Sequence, residues 1–547
     1  MSDRAATDQS DHPIPVVEHH AAAVQGDTSA LAPLKSGFWR WLWLGALVSS
    51  IGGWMQMVGA QWLFVKEPNA ATIVSFIQMA QSLPMVLLAF PAGVLADIFD
   101  RRWLMFSVQI YVIGVAFSLA VLTFMDKVTA PMLIAFTFLI ACAGAIQTPA
   151  WQSLIPEIVP REQVPAASRL EQVSVNAGRA AGPAIAGFVI AAWGVPWVFA
   201  LNAASVLLLA GTLLAWRRPR IVVERRERFI PALRAGGRYV SHEPVVRRII
   251  LRLVMFIFPA CAIWALLAII ASQRLGLEAS GYGLLFAAMG TGAVMGALTL
   301  GKIRAYVSTN TLILGCGTLF AVSLALTVIV PNFWTALPVL VLAGFGWTAT
   351  IATLNAELQL YLPVWVRARG IAIYLMSFMI AQSIGSPIWG QVAQHWGLRT
   401  AIFTAAGVSL LAVVGGLFWR IPETGHMDRA PLAFWGEAAV LTEPDPNDGP
   451  IVVTVEYVVP PESEAEYFAA MQDMRRSRRR SGATRWDLYR IGEQPDHFLE
   501  TFEVPSWEEH QRQHSGRLTA QDKEIEDRAH AFSVERSVAR HLLPPGF

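Results

Sequence analysis

Charge is what this sequence has least of. Asp, Glu, Lys and Arg make up 15% of its 547 residues, against 54% hydrophobic, where an average soluble domain carries roughly a quarter charged residues. That shortage excludes an ordinary soluble enzyme of three or four domains. Cysteine is nearly absent too: Cys142, Cys261 and Cys316 each stand alone inside an apolar run. They can build neither a disulfide framework nor a Cys-based zinc site, and no metal-binding signature is legible elsewhere. The net charge is only +2, so there is no basic footprint for nucleic acid. No GxGxxG or Walker-type loop is present, so no nucleotide cofactor and no ATP-driven pump are expected within this chain. Residues 1–37 lack the basic-then-apolar order of a signal peptide and are expected to form a disordered tail.

Long apolar runs fill the chain instead. From Phe38 onward there are twelve, at 38–64, 71–96, 103–125, 131–155, 168–192, 196–216, 247–272, 280–302, 309–331, 335–360, 368–395 and 399–420. Each can cross ~30 Å of hydrocarbon at ~1.5 Å rise per residue. Lipid offers backbone amides no partner, and the runs lack the alternation of barrel strands, so all twelve are expected to be helices.

Lys and Arg alternate between connections. The even ones carry Arg101 and Arg102, Arg161, the run from Arg217 to Arg248, Lys302 with Arg304, and Arg367 with Arg369; the odd ones hold little beyond Lys66, Lys127, Arg274 and Arg399. The positive-inside rule then puts both termini in the cytoplasm of an inner-membrane protein. A shift of 203 residues superimposes Gly93 on Gly296, Arg101 on Arg304, Gly182 on Gly385, Gly187 on Gly390 and Trp193-Gly194 on Trp396-Gly397. A shared offset in equivalent spans indicates two parallel six-helix repeats, 38–216 and 247–420, joined by a basic linker, 217–246, with substrate between them.

The connection after the second span reads Pro91-Ala-Gly-Val-Leu-Ala-Asp-Ile-Phe-Asp-Arg-Arg102. Gly93, Leu95, Asp97, Arg101 and Arg102 resemble the signature loop of the major facilitator superfamily. That resemblance implies a gate on the cytoplasmic side in which Asp97 meets the positive N-terminal end of a helix in the other half. The fifth span contains Gly178-Arg-Ala-Ala-Gly-Pro183-Ala-Ile-Ala-Gly187. Gly178 and Gly182 leave one helix face bare for close packing, and Pro183 bends the helix. The stretch resembles the Gly-Pro motif of superfamily exporters, which implies a contact between halves and outward transport. Thr148-Pro-Ala-Trp-Gln-Ser-Leu-Ile-Pro156 and Thr353-Leu-Asn-Ala-Glu-Leu-Gln-Leu360 resemble the transmembrane secretion effector branch, which includes the enterobactin exporter and macrolide-type efflux proteins. The likeness covers about residues 38 to 420 and departs at Leu300, which stands where a second Asp97 would.

Polar residues inside the spans divide between path and packing. Arg179 lies near the middle of the fifth span, where a cation costs at least ~2.5 kcal/mol and needs a partner or a wet cavity. It either attracts an anionic or phenolic substrate group or tethers helices through carbonyls or a carboxylate. Gln56, Gln61, Gln78, Gln81, Gln147, Gln152, Asn176, Asn355 and Gln382 can line a neutral cavity or bond between helices. Trp54, Met55, Met57, Phe76, Trp151, Trp347 and Phe378 can form an adaptable wall or pack in the core. Glu171 and then Glu357 are the candidates for carrying a coupling proton, although both fall toward cytoplasmic ends. One charge crossing 100 mV supplies ~2.3 kcal/mol, so one proton per cycle suffices.

After Arg420 the chain turns polar. A linker at 421–449 leads into 450–547, where Ile451–Val458, Thr484–Ile491, His497–Val504 and Ser537–Leu542 read as strands and Glu462–Arg479 as a helix, with Ser506 opening another. This βαββαβ order is ferredoxin-like and resembles the antibiotic biosynthesis monooxygenase fold, which implies a dimeric α/β barrel. Trp486, His497, His510 and His514 can contact a ligand or haem there, with His510 and His514 one turn apart. Structural or dimerising, ligand-sensing and catalytic roles stay open for this part.

The expected protein is an all-α membrane exporter with a small α+β appendage, moving small amphipathic molecules such as a siderophore, antibiotic or drug by alternating access, with the proton as coupling ion inherited from the resemblance. It is not expected to be an enzyme. A membrane sensor or scaffold, or a transporter fused to an oxygenase, is the alternative.

Overall fold

The computed structural model describes residues 29–216, 229–423, 432–436, 440, 444–535 and 537–544. The expected tail at 1–37 and the linkers at 217–246 and 421–449 therefore fall partly outside the described residues. Helices α1 (Gly37–Leu63), α2 (Ala70–Ile98), α3 (Arg101–Phe124), α4 (Ala130–Ile158), α5 (Val164–Trp193) and α6 (Val195–Ala215) precede the first linker. After it come α7 (Phe229–His242), α8 (Pro244–Ile269), α9 (Ala279–Arg304), α10 (Thr309–Leu326), α11 (Phe333–Tyr361), α12 (Val364–Trp396) and α13 (Leu398–Gly415).

Eleven of these helices are long and apolar enough to cross a membrane. The expected first span, α1, is long enough at 27 residues but is not among the eleven; five tryptophans, Arg40, Gln56 and Gln61 interrupt its apolar run. The basic linker is not all loop, since α7 forms within it and buries Tyr239 edge-on against Trp365 of α12. Short polar residues start several helices. Ser36 accepts from Trp39 N, Asp100 from Arg102 N and Trp103 N, and Asn332 from Thr335 N, satisfying donors that a first turn leaves open. At Gly194 (φ +91°) and Gly397 (φ +87°) the chain turns between consecutive helices in a conformation that favours glycine. The flanking Trp193 and Trp396 are both exposed, as tryptophans at a membrane interface are.

Helices α1–α6 pack mainly on one another, as do α8–α13; the two sets meet along α2–α12 and α5–α9, with α2 also touching α8. The 203-residue repeat is visible in this packing. A Cβ on Gly182 would meet Trp54 Cβ and Ile51 O of α1, and one on Gly385 would meet Phe258 O and Cys261 Sγ of α8. One on Gly187 would meet Ala279 O of α9, and one on Gly390 would meet Ser75 and Ala71 O of α2. The first pair thus packs each helix inside its own set, and the second packs each across to the other set.

The appendage is a four-stranded antiparallel sheet in the order β2-β3-β1-β4, with β1 Ile451–Val458, β2 Arg485–Ile491, β3 Gln494–Val504 and β4 Ala539–Leu542. Helices α14 (Glu464–Ser481), α15 (Trp507–Arg512) and α16 (Ala520–His530) complete it. Tyr457, Tyr467, Met471, Met474, Phe498 and Phe502 form its buried core. The hairpin turns at Gly492-Glu493, earlier than the Glu493–Asp496 loop expected. A register shift after Arg490 takes up the extra residues around Pro495, which cannot donate to a ladder.

Candidate functional site

Between the two sets lies a cavity of about 250 Å³. Trp54 and Met57 of α1, Gln78, Gln81 and Ser82 of α2, Arg179 of α5, Trp264 of α8, Trp347 of α11, and Phe378, Met379 and Gln382 of α12 line it. A second cavity of about 310 Å³ shares Trp54, Met57 and Gln81, and adds Gln56 and Thr137. Trp347 stacks edge-on with Trp264 and Phe378, at 5.4 and 6.2 Å between ring centres. Of the wall expected from the sequence, Trp54, Met57, Trp347 and Phe378 line this cavity and Met55, Phe76 and Trp151 do not; Trp264 and Met379 join it.

Polar bonds close this cavity toward the α1–α2 and α8–α9 connections. Gln61 Nε2 donates to Gln78 Oε1 at 3.0 Å and to Trp264 O at 3.3 Å, and the Tyr282 hydroxyl donates to Gln61 Oε1. Ser82 and Ser383 share a hydrogen bond of 2.7 Å between α2 and α12, and Gln394 Nε2 reaches Pro68 O at 3.0 Å. Tyr282 and Ser383 escaped the sequence reading, which had Gln61 and Gln78 only as cavity candidates, because nothing in one helix announces a partner on another.

Arg179 is the cation of this cavity. Its guanidinium lies 5.4 Å from the Trp54 ring centre, and its Nε is buried without a hydrogen-bond partner. Among the described residues no carboxylate pairs with it, so the helix-tethering alternative lacks its bonds here. Gln382 lines the same cavity. Gln56, in the neighbouring one, accepts from Asn202 Nδ2 at 3.3 Å. Gln152 and Asn176 are exposed and line neither cavity, and Asn176 donates back to Gln172 O of its own helix. Asn355 accepts from Gln359 Nε2 one turn on.

The expected signature loop is mostly helix, since α2 runs to Ile98 and leaves only Phe99 and Asp100 before α3. Gly93 is half-buried in it, and the Asp97 side chain lies outside the described residues. Arg101 is buried; it pairs with Glu157 of α4 and donates to Ser153 O at 3.2 Å. Arg102 donates to Leu213 O and Leu214 O, closing the C-terminal end of α6, where a cation is favoured. The second set repeats the first arrangement: Arg304 pairs with Glu357 of α11, and Thr309 Oγ1 also donates to Glu357 at 2.9 Å. Glu357 is buried within this network, whereas Glu171 on α5 is half-buried.

The Gly-Pro stretch splits its contacts. Gly178 and Gly182 pack on Ser50, Ile51 and Trp54 of α1, inside the same set. Contact with the other set falls at Gly187, and at the Pro183 carbonyl against Gly283 of α9.

The appendage docks at the α11–α12 end of the second set. Arg480 of α14 donates to Glu243 at 2.7 Å, and the Tyr361 hydroxyl donates to the same carboxylate at 2.7 Å. Arg517 lies 4.9 Å from the ring centre of Trp365, and Arg238 of α7 lies 3.7 Å from Glu509.

A profile described as "Transmembrane secretion effector" matches residues 28–543, running through the appendage as well as the helices. The chain is 28% identical to the enterobactin exporter EntS of Escherichia coli (strain K12 / MC4100 / BW2952) over 279 residues, 50% of this chain and 66% of that protein. It is 24% identical to the uncharacterized MFS-type transporter YfiS of Bacillus subtilis (strain 168) over 289 residues, again 50% of this chain and 66% of that protein. It thus spans just under two thirds of the length of these curated relatives. Among solved structures, a bacterial homologue of the human lysosomal transporter Spinster, inward-facing and unoccupied, superimposes with a TM-score of 0.57 at 14% identity, covering 70% of this chain and 99% of that one. The nucleoside transporter NupG superimposes with a TM-score of 0.57 at 12% identity, covering 70% and 98%. These structural likenesses carry the fold.

Proposed function

Because the chain belongs to the transmembrane secretion effector family, a group of multi-pass transporters rather than enzymes, we propose that it exports small amphipathic organic molecules by alternating access. α1 counts as the twelfth span on this reading, giving two six-helix bundles of the major facilitator plan, with both termini cytoplasmic by the Lys and Arg bias. The cavity between the sets, with aromatic walls and Arg179 as its cation, carries the proposal. Such a site suits a molecule with a flat apolar body and an acidic or phenolic group, as a siderophore or an aromatic antibiotic has.

The contacts joining the two sets gather at the odd-numbered connections, so the state described is closed outward and opens inward. Rocking about the α2–α12 and α5–α9 contacts would expose the same cavity to the other side. Proton antiport is the proposed coupling, with Glu171 as carrier; the Arg304–Glu357 pair gives Glu357 a structural role instead. The appendage has the strand order of a ferredoxin-like βαββαβ unit, and its exposed sheet face is the proposed surface for a homodimer.

Counterflow of catecholate siderophores and aromatic antibiotics in proteoliposomes, with and without a proton gradient, tests the reading. Saturable, gradient-dependent flux lost in Arg179→Gln supports it. Folded protein that moves nothing across a broad panel refutes it in favour of a membrane sensor.

A further inference from the structure

We propose that the appendage holds a divalent transition-metal site, made of His510, His514 and His541, with an open coordination position facing a cavity. His510 lies in α15, His514 follows it in a π-type turn, and His541 comes from β4, so the three arrive from separate elements. Their nearest ring nitrogens all lie within 4.8 Å of one another.

The hydrogen bonds fix which nitrogens are bare. His514 Nδ1 lies 2.7 Å from Gly436 O. A carbonyl only accepts, so that nitrogen carries the hydrogen and His514 Nε2 keeps its lone pair. His510 Nδ1 lies 3.1 Å from Gln513 Oε1, while the amide nitrogen of Gln513 points to Ser481 Oγ at 3.4 Å. His510 Nε2 is therefore bare as well. These two bare nitrogens face each other at 3.2 Å, and two lone pairs make no hydrogen bond. Something electron-poor belongs between them, either a proton or a metal ion.

Burial and the neighbouring rings oppose the proton: His510 is buried, with the His514 and His541 ring centres 4.7 and 4.8 Å from its own. A metal ion fits the spacing. Two imidazole nitrogens bound at about 2.0–2.1 Å to one tetrahedral ion stand about 3.3 Å apart. The Gly436 and Gln513 oxygens behind the rings are the kind of outer partners that orient metal-binding imidazoles.

The surroundings favour a cation. The site opens on a cavity of about 730 Å³, also lined by Trp435, Phe502 and His530. Its one lining guanidinium, Arg478, is paired with both Glu500 and Glu526, and Glu535 lines the cavity too, so carboxylates outnumber cations nearby. Three neutral imidazoles with no thiolate suit Zn²⁺ and its first-row neighbours. His541 lies 27 residues beyond His514, on a different element, so no local spacing betrays the set.

The test uses full-length protein in detergent, purified without a polyhistidine tag and stripped with chelator. Zn²⁺ is titrated in competition with a chromophoric chelator, and Co²⁺ is added separately to read its visible absorption. One ion per chain with micromolar or tighter affinity, and tetrahedral Co²⁺ bands, are expected. His514→Ala and His541→Ala should each weaken Zn²⁺ at least about tenfold, while His497→Ala leaves it unchanged. Should either triad variant unfold the appendage, as read by tryptophan fluorescence, His514→Gln at the same position decides. No stoichiometric uptake by the unmodified protein, or equal affinity in the folded triad variants, overturns the proposal.

Discussion

Arg480 of the appendage and Glu243 at the start of α8 form an ion pair of 2.7 Å in which both side chains are almost wholly buried. Glu243 also accepts from Tyr361, and Arg480 is shared with Asp522 at 2.6 Å. A single carboxylate thus joins α14 of the appendage to the start of α8 and the end of α11. Glu243→Ala should weaken docking by about 1–3 kcal/mol. That is less than the about 3–5 kcal/mol of a fully stranded buried charge, because Asp522 still holds Arg480. Faster proteolysis within 421–449, measured on the detergent-solubilised protein, is the expected readout.

Acid should loosen the same joint. Burial alone would push the Asp522 carboxyl up, but Arg480 with bonds from Ser477 and Thr519 holds it below its ordinary value. A carboxyl depressed by folding contributes stability that is present above its unfolded value and lost as pH falls through the folded one. The loss should therefore begin below about pH 4, the ordinary aspartate range. Tryptophan fluorescence during an acid titration should show this step, and Asp522→Asn should start less stable and respond less steeply.

Arg179 should govern affinity for acidic or phenolic cargo. Its Nε is buried and unpaired over Trp54, so removing the charge costs no ion pair in the protein. Arg179→Gln should weaken binding of such compounds about tenfold or more, on the scale of a desolvated cation contact of about 2 kcal/mol. Neutral compounds should be little affected. Competition binding in detergent checks the contrast.

Adding bulk to the seam between the sets should disfavour the described state. A Cβ at Gly390 would fall 1.9 Å from Ser75 Oγ and 2.8 Å from Ala71 O, and one at Gly187 would fall 2.6 Å from Ala279 O. Gly390→Val and Gly187→Val should raise the accessibility of a cysteine placed at Ser280 to an impermeant maleimide added from outside. Gly53→Ala, where nothing lies within 4 Å, should not.

Coupling through Glu171 predicts that Glu171→Gln retains counterflow but loses its response to a proton gradient. Glu157→Gln and Glu357→Gln should both lower the amount of folded protein, since the first strips the buried Arg101, and the second the half-buried Arg304, of a carboxylate partner.

The spans were legible because lipid imposes one rule on every residue of a long run, and the repeat was legible because Gly182 and Gly385 solve one packing problem twice. Partners were not. Arg101 and Arg179 stood out as charges in apolar surroundings, but Glu157 looked like an ordinary helix-end acid, and Gln61 like one amide among several. α1 was read as a span by length, yet its tryptophans and glutamines interrupt its apolar run. In the appendage, strand alternation revealed the sheet, while His541 had no visible tie to His510 until β4 was laid beside β1.

At the crossing of α5 and α9, the surfaces in contact are peptide groups and glycine hydrogens of Gly187 and Gly283. Parting them frees no interlocked side chains and requires no rotamer to change, so the junction behaves as a smooth bearing rather than a latch. The work of holding it shut then falls on the few amide and hydroxyl bonds around Gln61 and Ser82, whose strength a bound molecule can alter directly.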